Sequence, residues 1–365
     1  MMKKLTICLS LALIHFSLYA QIVEIVYDSS ITSNMVKTDF EIDSQDNLWV
    51  GYSWSGLGIY NGTGWEYINT SNSPLISDNI NDIFIFNDTI FIATDDGISI
   101  KYPGYWESFT DTNGLPAPLV NSVYYDGTNL FAIVNGTSFA AYDGSTWTTI
   151  SLPAGFLGGS AKPVIYKTSN GNIYIGNKYL YRLSGTNLIQ LSPGNTDTLY
   201  LIRSVVEDND HRLWVACHSG MHIIANDTIK SYEELYPIPL SKPKNIQMLT
   251  RTDNGKIIFS PGFWGTGVCF YMICNADSQK LYGGIELGAV LTLDGLRTDH
   301  QNRLWYAAPK ECLYRLDFSN YENFGDFLTL DNTGYLDINK VKAGYMNRGT
   351  FFWDRIGSAS YEVPK

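Results

Sequence analysis

Short apolar, aromatic-rich runs alternate along this chain with clusters of Asp, Asn, Gly and Thr, and one phrase returns at a near-constant interval. A polar turn is followed by a branched apolar residue, an aromatic, another apolar residue and then Gly or Ala. It reads Asp46-Asn47-Leu48-Trp49-Val50-Gly51, Asp88-Thr89-Ile90-Phe91-Ile92-Ala93, Thr128-Asn129-Leu130-Phe131-Ala132 and Gly171-Asn172-Ile173-Tyr174-Ile175-Gly176. Three more copies follow at His211-Arg212-Leu213-Trp214-Val215-Ala216, Gly255-Lys256-Ile257-Ile258-Phe259 and Asn302-Arg303-Leu304-Trp305-Tyr306-Ala307. With Leu48, Ile90, Leu130, Ile173, Leu213, Ile257 and Leu304 as anchors, successive differences in residue number are 42, 40, 43, 40, 44 and 47. That period has room for four strands of about five or six residues with their turns.

The third copy displays the four strands openly. Asn121 to Tyr125, Asn129 to Val134, Ser138 to Tyr142 and Thr146 to Ser151 are β-branched and aromatic-rich, and Asp126-Gly127, Asn135-Gly136 and Asp143-Gly144 separate them. These dipeptides are hairpin turns, because Asn, Asp and Gly tolerate positive φ. Leu130-Phe131-Ala132-Ile133-Val134 is apolar on both faces, so such strands are covered on both sides. A four-stranded unit repeated about every 40 residues and sandwiched between its copies is a propeller blade. The expectation is an all-β, seven-bladed β-propeller of four-stranded antiparallel blades. An open β-solenoid has shorter repeats and lacks three tight hairpins in each. Closing the ring requires a distant segment to complete the last blade, and either Ile22 to Tyr27 or Asn323 to Leu330 suits that role.

Flanking segments set the expected boundaries. Lys3 and Lys4 precede an apolar run from Leu5 to Tyr19, and Ala20 followed by Gln21 offers a cleavage point, so 1–20 reads as a signal peptide. The run is too short, and too broken by Ser10, His15 and Ser17, for a membrane anchor. The propeller then occupies 21–332 and a tail 333–365. The protein is expected in the periplasm, outside the cell or at its surface, without a membrane span. Cys217, Cys269, Cys274 and Cys312 remain after cleavage. They suit disulfides in an oxidising compartment or four small buried hydrophobes.

The repeat also carries a family resemblance. The frame Asp43-x-x-Asp46-Asn47-Leu48-Trp49-Val50-Gly51, Gly56-Leu57-Gly58-Ile59-Tyr60, Gly62 and Trp65, with Asn113-Gly114-Leu115 and Val120-Asn121-Ser122-Val123 in the linking stretch, resembles the two-component regulator propeller repeat. The likeness runs over roughly residues 36 to 330, clearest in copies one, two and five. The resemblance implies an extracytoplasmic sensor of the kind abundant in Bacteroidetes, though the second β-domain, membrane helix and kinase of those sensors have no counterpart here. Leu336-Asp337-Ile338-Asn339 through Arg348-Gly349-Thr350-Phe351-Phe352-Trp353-Asp354 to Lys365 is similar to the opening of a module in Bacteroidetes surface and gliding-associated proteins. That likeness implies a chain truncated from a longer surface protein. The repeat motif is structural, so it speaks to fold more than to ligand.

Composition then narrows the function. The chain is 45% hydrophobic, 14% aromatic and 17% charged, which excludes intrinsic disorder. Its 25 basic and 36 acidic residues give a net charge of -11, and losing Lys3 and Lys4 takes it to -13. Clustered cations for phosphate neutralisation are missing, so nucleic acid is not an expected partner. No Gly-x-Ser-x-Gly elbow, Walker loop or His-Glu-x-x-His pair occurs. Cys217, His218 and His222 lie near one another in sequence, but a zinc site would want a fourth group and the spacing matches no ligand frame. Glu207-Asp208-Asn209-Asp210 lacks the Gly and distal Glu of a calcium loop, and Asx capping of the turn explains it more simply. No cofactor, metal or catalytic residue is expected.

A binding face is nonetheless legible. If the polar turn before each anchor joins strands one and two, the turn between strands two and three lies on the opposite face. The long connections Asn69 to Asn79, Thr110 to Leu119, Leu152 to Lys162, Ser231 to Lys244 and Asn275 to Gly288 emerge there too. Long loops on a rigid scaffold are where binding residues concentrate. The equivalent positions five to seven residues past each anchor are Trp54, Asp95, Asn135, Lys178, His218, Trp264 and Lys310. Aromatics flanked by polar groups suit a glycan or a peptide, and another surface protein is a further expected partner. The competing function is a polysaccharide-active propeller enzyme, a lyase or glycoside hydrolase, with Asp95 and the Glu207 to Asp210 cluster as its candidate carboxylates.

Overall fold

The computed structural model describes residues 23–26, 37–159, 162–192, 199–232, 246–253, 255, 257–261, 271–275, 278–282, 295–301, 303–307 and 313–316. Among them the strands order into seven four-stranded antiparallel sheets. Six follow the chain directly, as in Val120–Tyr125, Leu130–Val134, Ser138–Tyr142 and Trp147–Ser151. Each anchor stands at or next to the start of its sheet's second strand. The seventh sheet takes Gly295–Thr298, Leu304–Ala307 and Leu313–Leu316, and its outer strand is Val23–Val26, with Val23 opposite Leu316 and Val26 opposite Leu313. The N-terminal alternative therefore completes the last sheet, and Asn323 to Leu330 lies outside the described residues.

In the first five sheets burial is greatest at the second strand and least at the outer one. Second strands such as Leu48–Tyr52, Leu130–Val134 and Leu213–Cys217 are buried at every position. Outer strands such as Trp147–Ser151 and Thr228–Ser231 are half-buried or exposed throughout. Continuous apolar runs are buried because neighbouring sheets cover both faces. Phe91, Ile98 and Phe109 of the second sheet, for example, share one core with Val120, Leu130 and Ala140 of the third. The first strand of every sheet lies against the first strand of the next, and Gly295–Thr298 lies against Lys37–Ile42.

The turns before the anchors owe their form to one carboxylate. Asp208 Oδ1 accepts the backbone N–H groups of Asp210 and Arg212, while Oδ2 accepts Arg212 Nε and, at 2.6 Å, the Trp214 indole N–H. Asp43 and Asp299 repeat the pattern, with Trp49 at 2.9 Å and Trp305 at 2.8 Å. The Asx reading of the Glu207 to Asp210 cluster thus describes Asp208.

Glycine opens the third strand where backbones meet closely. A Cβ on Gly97, at φ +132°, would sit 2.1 Å from the Phe109 carbonyl oxygen of the neighbouring strand, and Gly56, at φ +74°, would meet Ile68 O at 2.2 Å. Gly97→Ala should therefore cost about 2 kcal/mol or more, measured by denaturant unfolding; an unchanged midpoint would contradict this account.

One connection departs from expectation. Asn275 to Gly288 was expected to link two blades, but Ser278–Tyr282 is a strand paired with Tyr271–Asn275. Its polar Ser-Gln-Lys opening resembles a loop in sequence, and only pairing with the apolar partner strand makes it the sheet's outer edge.

Candidate functional site

Backbone hydrogen bonds place the turns between second and third strands beside the connections that join one sheet to the next. Gly56 N–H donates to Asp78 O, Asn135 N–H to Leu119 O, Lys178 N–H to Phe156 O and His218 N–H to Tyr200 O, at 2.8 to 3.1 Å. These turns and connections share one end of the sheets, here called the loop face. The turns before the anchors occupy the other end.

Five of the seven expected site residues are described, and all five lie on loop-face turns. Trp54 projects furthest, 77% exposed with φ at +66°. Asn135, also exposed, has φ +50°. Asp95 is committed to its own sheet: Asn79 Nδ2 and Asn81 Nδ2 both donate to its carboxylate. Lys178 holds its ammonium 5.6 Å from the Tyr179 ring centroid. Tyr179 meets Tyr200 at 5.9 Å, and Tyr200 meets the exposed His218 edge-on at 6.3 Å. Lys178 and His218 thus belong to one aromatic strip across the fourth and fifth sheets. Tyr200 escaped the sequence reading because it lies in the connection into the fifth sheet, and Tyr179 because its neighbour Lys178 stood for the turn of the fourth sheet. Trp264 and Lys310 lie outside the described residues, as do Cys269 and Cys312.

Cys217 is free and buried. Burial pushes its thiol pKa up, against hydrogen bonds from Ser219 and others. Its Sγ lies 3.5 Å from His222 Nδ1, but no group of three metal-ligating side chains forms among the described residues.

A charged cluster joins the inner strands, and the sequence reading missed it. A bulge recurs near the start of the inner strands, between Lys37 and Asp39 and between Ile80 and Asp82. It turns the residue that follows towards the next sheet: Asp39 accepts Ile83 N–H at 3.0 Å, and Asp82 accepts Val123 N–H and the Ser122 hydroxyl. Lys162, at the end of the connection into the fourth sheet, reaches both carboxylates, at 2.8 Å from Asp39 and 2.5 Å from Asp82. Arg297, from the seventh sheet, lies 2.5 Å from Glu41 and 3.6 Å from Asp39. The detectable signal was an Asp interrupting an apolar strand nine and eight residues before anchors Leu48 and Ile90.

Three carboxylates face two cations here. Burial works against the charged form of Asp39, but Lys162 and Arg297 outweigh it and the pKa falls below the usual range. For Asp82 burial wins over the pull of Lys162, and with adjacent Asp39 adding repulsion the pKa rises to about 7. The two opposite directions express one coupled pair in which a proton is retained more readily by Asp82. Burial disfavours the Lys162 ammonium, yet Asp39 and Asp82 together raise its pKa.

The carboxylates proposed for hydrolysis do not pair. Asp95 is on the loop face, whereas Glu207, Asp208 and Asp210 are at the opposite end, where Glu207 accepts Ser169 N–H and Asp208 caps its turn.

No family model and no curated protein sequence matches the chain. Solved structures are similar in fold. A catalytically inactive virginiamycin B lyase from Staphylococcus aureus with quinupristin is 14% identical with a TM-score of 0.60, covering 81% of this chain and 98% of that one. The extracellular domain assigned to a hybrid two component system of B. thetaiotaomicron is 14% identical with a TM-score of 0.60, covering 80% of this chain and 41% of that one. The WD40 beta propeller domain of Doa1 is 9% identical with a TM-score of 0.59, covering 82% and 96%. At these identities the likeness establishes the fold class, an all-β chain of the propeller type. No described helix is long and apolar enough to cross a membrane.

Proposed function

We propose that the seven sheets close as seven blades and that the loop face binds a glycan or peptide, making the protein an exported, non-catalytic binding or sensing module. The observation that carries the reading is Trp54. A non-glycine residue held at positive φ is strained by about 1 to 3 kcal/mol, and here the strained residue carries a large aromatic ring into solvent, where it contributes little to packing. Such expenditure is characteristic of binding residues on rigid scaffolds. The Lys178, Tyr179, Tyr200 and His218 strip adds ring faces flanked by polar groups on the same face. The extracellular domain similar in fold supports the sensing role and a location outside the cytoplasm. A signal peptide at 1–20 and attachment at the cell surface complete the reading.

Titration against a panel of glycans and peptides tests it. Trp54→Ala and Tyr200→Ala are each expected to weaken binding by about tenfold or more, as loss of a stacked aromatic anchor does. Affinity unchanged in both variants would remove the loop face as the site.

A further inference from the structure

The loop face holds a cation that has no counter-ion among the described residues. Arg203 occupies the bulge between Ile202 and Ser204, opposite Cys217 and Ala216. At the matching bulge of the second sheet, Asn81 donates to Asp95 and to Val120 O; in the third, Asn121 accepts Gly136 N–H. In the second and third sheets the bulge position thus directs a polar side chain at the loop-face turn of its own sheet, where a partner satisfies it, whereas in the first the hydroxyl of Thr38 is buried without one. In the fifth sheet that position carries a guanidinium. Its Nε is buried without a hydrogen bond, and Arg203 makes no ion pair among the described residues. Burial accordingly pushes its pKa down. Cys217 is no substitute counter-ion, since burial holds it as a neutral thiol.

One further cation, Lys178, and the His218 imidazole lie on turns tied to the same segment. Leu201 N–H donates to Lys178 O at 2.9 Å, and His218 N–H to Tyr200 O at 3.0 Å, so the segment around Arg203 is tied to both. Lys178 has a ring beneath its ammonium but no carboxylate among the described residues. In a chain with 36 acidic residues against 25 basic ones, two cations on hydrogen-bonded segments with no counter-ion among the described residues are unexpected on electrostatic grounds. An Arg in this state costs stability, because an unpaired, partly buried charge is desolvated without return. An arriving carboxylate would satisfy it, since the planar guanidinium donates two parallel N–H groups to such a group.

We propose that Arg203, together with Lys178 and His218 on the turns tied to its segment, forms a site for the carboxylate of an acidic, uronate-type saccharide whose sugar ring lies against Tyr179 and Tyr200. This rests on the loop face being the binding face and adds the chemical class of the ligand. The half-exposed tyrosine rings favour a saccharide over a free anion, because they offer an apolar surface to the C–H face of a sugar.

The test is calorimetric titration with trigalacturonate, with a neutral trisaccharide of the same linkage, and with an acidic tripeptide, at low and high salt. Trigalacturonate is expected to bind about tenfold or more tightly than the neutral sugar, with the margin shrinking at high salt. Arg203→Met should erase that margin while leaving the melting temperature unchanged or raised, since it removes an unpaired charge. A structural arginine would instead lower the melting temperature. Equal binding of both sugars, insensitive to Arg203→Met but lost in Trp54→Ala, overturns this proposal and leaves the loop-face reading standing. Preference for the tripeptide overturns the saccharide assignment. No binding by any of the three overturns the site.

Discussion

Lys162→Ala is expected to destabilise the protein by about 3 to 5 kcal/mol at pH 8, the scale seen when one member of a buried ion pair is removed. Lys162 Nζ is 2.8 Å from Asp39 and 2.5 Å from Asp82, and both carboxylates are nearly inaccessible, at 1% and 6% side-chain exposure. Without the ammonium, two adjacent carboxylates face each other with Arg297 as the remaining cation, 3.6 Å from Asp39. The loss should depend on pH. Asp82 has a folded pKa near 7, above its ordinary 3.8, so its contribution to stability is complete below about pH 4 and is lost as pH rises through 7. Removing Lys162 raises the carboxylate pKa values further, so the penalty is largest at pH 8 and shrinks towards pH 4. Denaturant unfolding of both proteins at pH 5 and pH 8 measures it; an equal penalty at the two values would refute the electrostatic origin. Because Lys162 ends the connection into the fourth sheet while Asp39 and Asp82 belong to the first and second, the variant should also loosen the centre of the assembly. Faster amide exchange in Ile80–Phe86 would report this.

Asp208→Ala should cost about 3 kcal/mol or more. It strips acceptors from two backbone N–H groups, the Arg212 guanidinium and the buried Trp214 indole at once. A buried donor left unsatisfied costs about 1 to 3 kcal/mol, and a charged one more. Trp214 is 1% exposed, so water cannot replace the lost acceptor. Trp214→Phe removes the indole donor and keeps most of the ring. In a double-mutant cycle the two substitutions should be strongly non-additive, with a coupling of about 1 kcal/mol or more. Additivity would mean that the carboxylate serves the turn and not the tryptophan.

Asp208 also shows why the fold was so readable. Everything it binds lies within six residues, so the whole device is written locally and repeats visibly as Asp43 with Trp49 and Asp299 with Trp305. The hairpin dipeptides act over even shorter spans, which is why the strands of the third copy match their sequence limits to within a residue. The polar edge strand Ser278–Tyr282 read as a loop because what makes it a strand is pairing with Tyr271–Asn275 and not its own alternation.

The candidate site was legible only in part. Trp54, Asn135, Lys178 and His218 were reachable by counting from the anchors, because a repeat sends equivalent positions to the same face. Counting could not reveal that Asp95 is consumed by Asn79 and Asn81, nor that Tyr179 and Tyr200 connect Lys178 to His218. Position within a period sets direction, whereas availability depends on what neighbouring segments bring.

By itself the sequence determined the repeat, the four strands of each unit, the turns and the end of the sheets from which the loops emerge, all consequences of short-range turn chemistry and apolar alternation. The tertiary structure alone decided that Val23–Val26 completes the last sheet, that Lys162 meets Asp39 and Asp82, and that Arg203 has no counter-ion among the described residues. Those contacts join residues tens to hundreds of positions apart. Coulomb energy and burial depend on distance through space, and no periodicity along the chain encodes that distance.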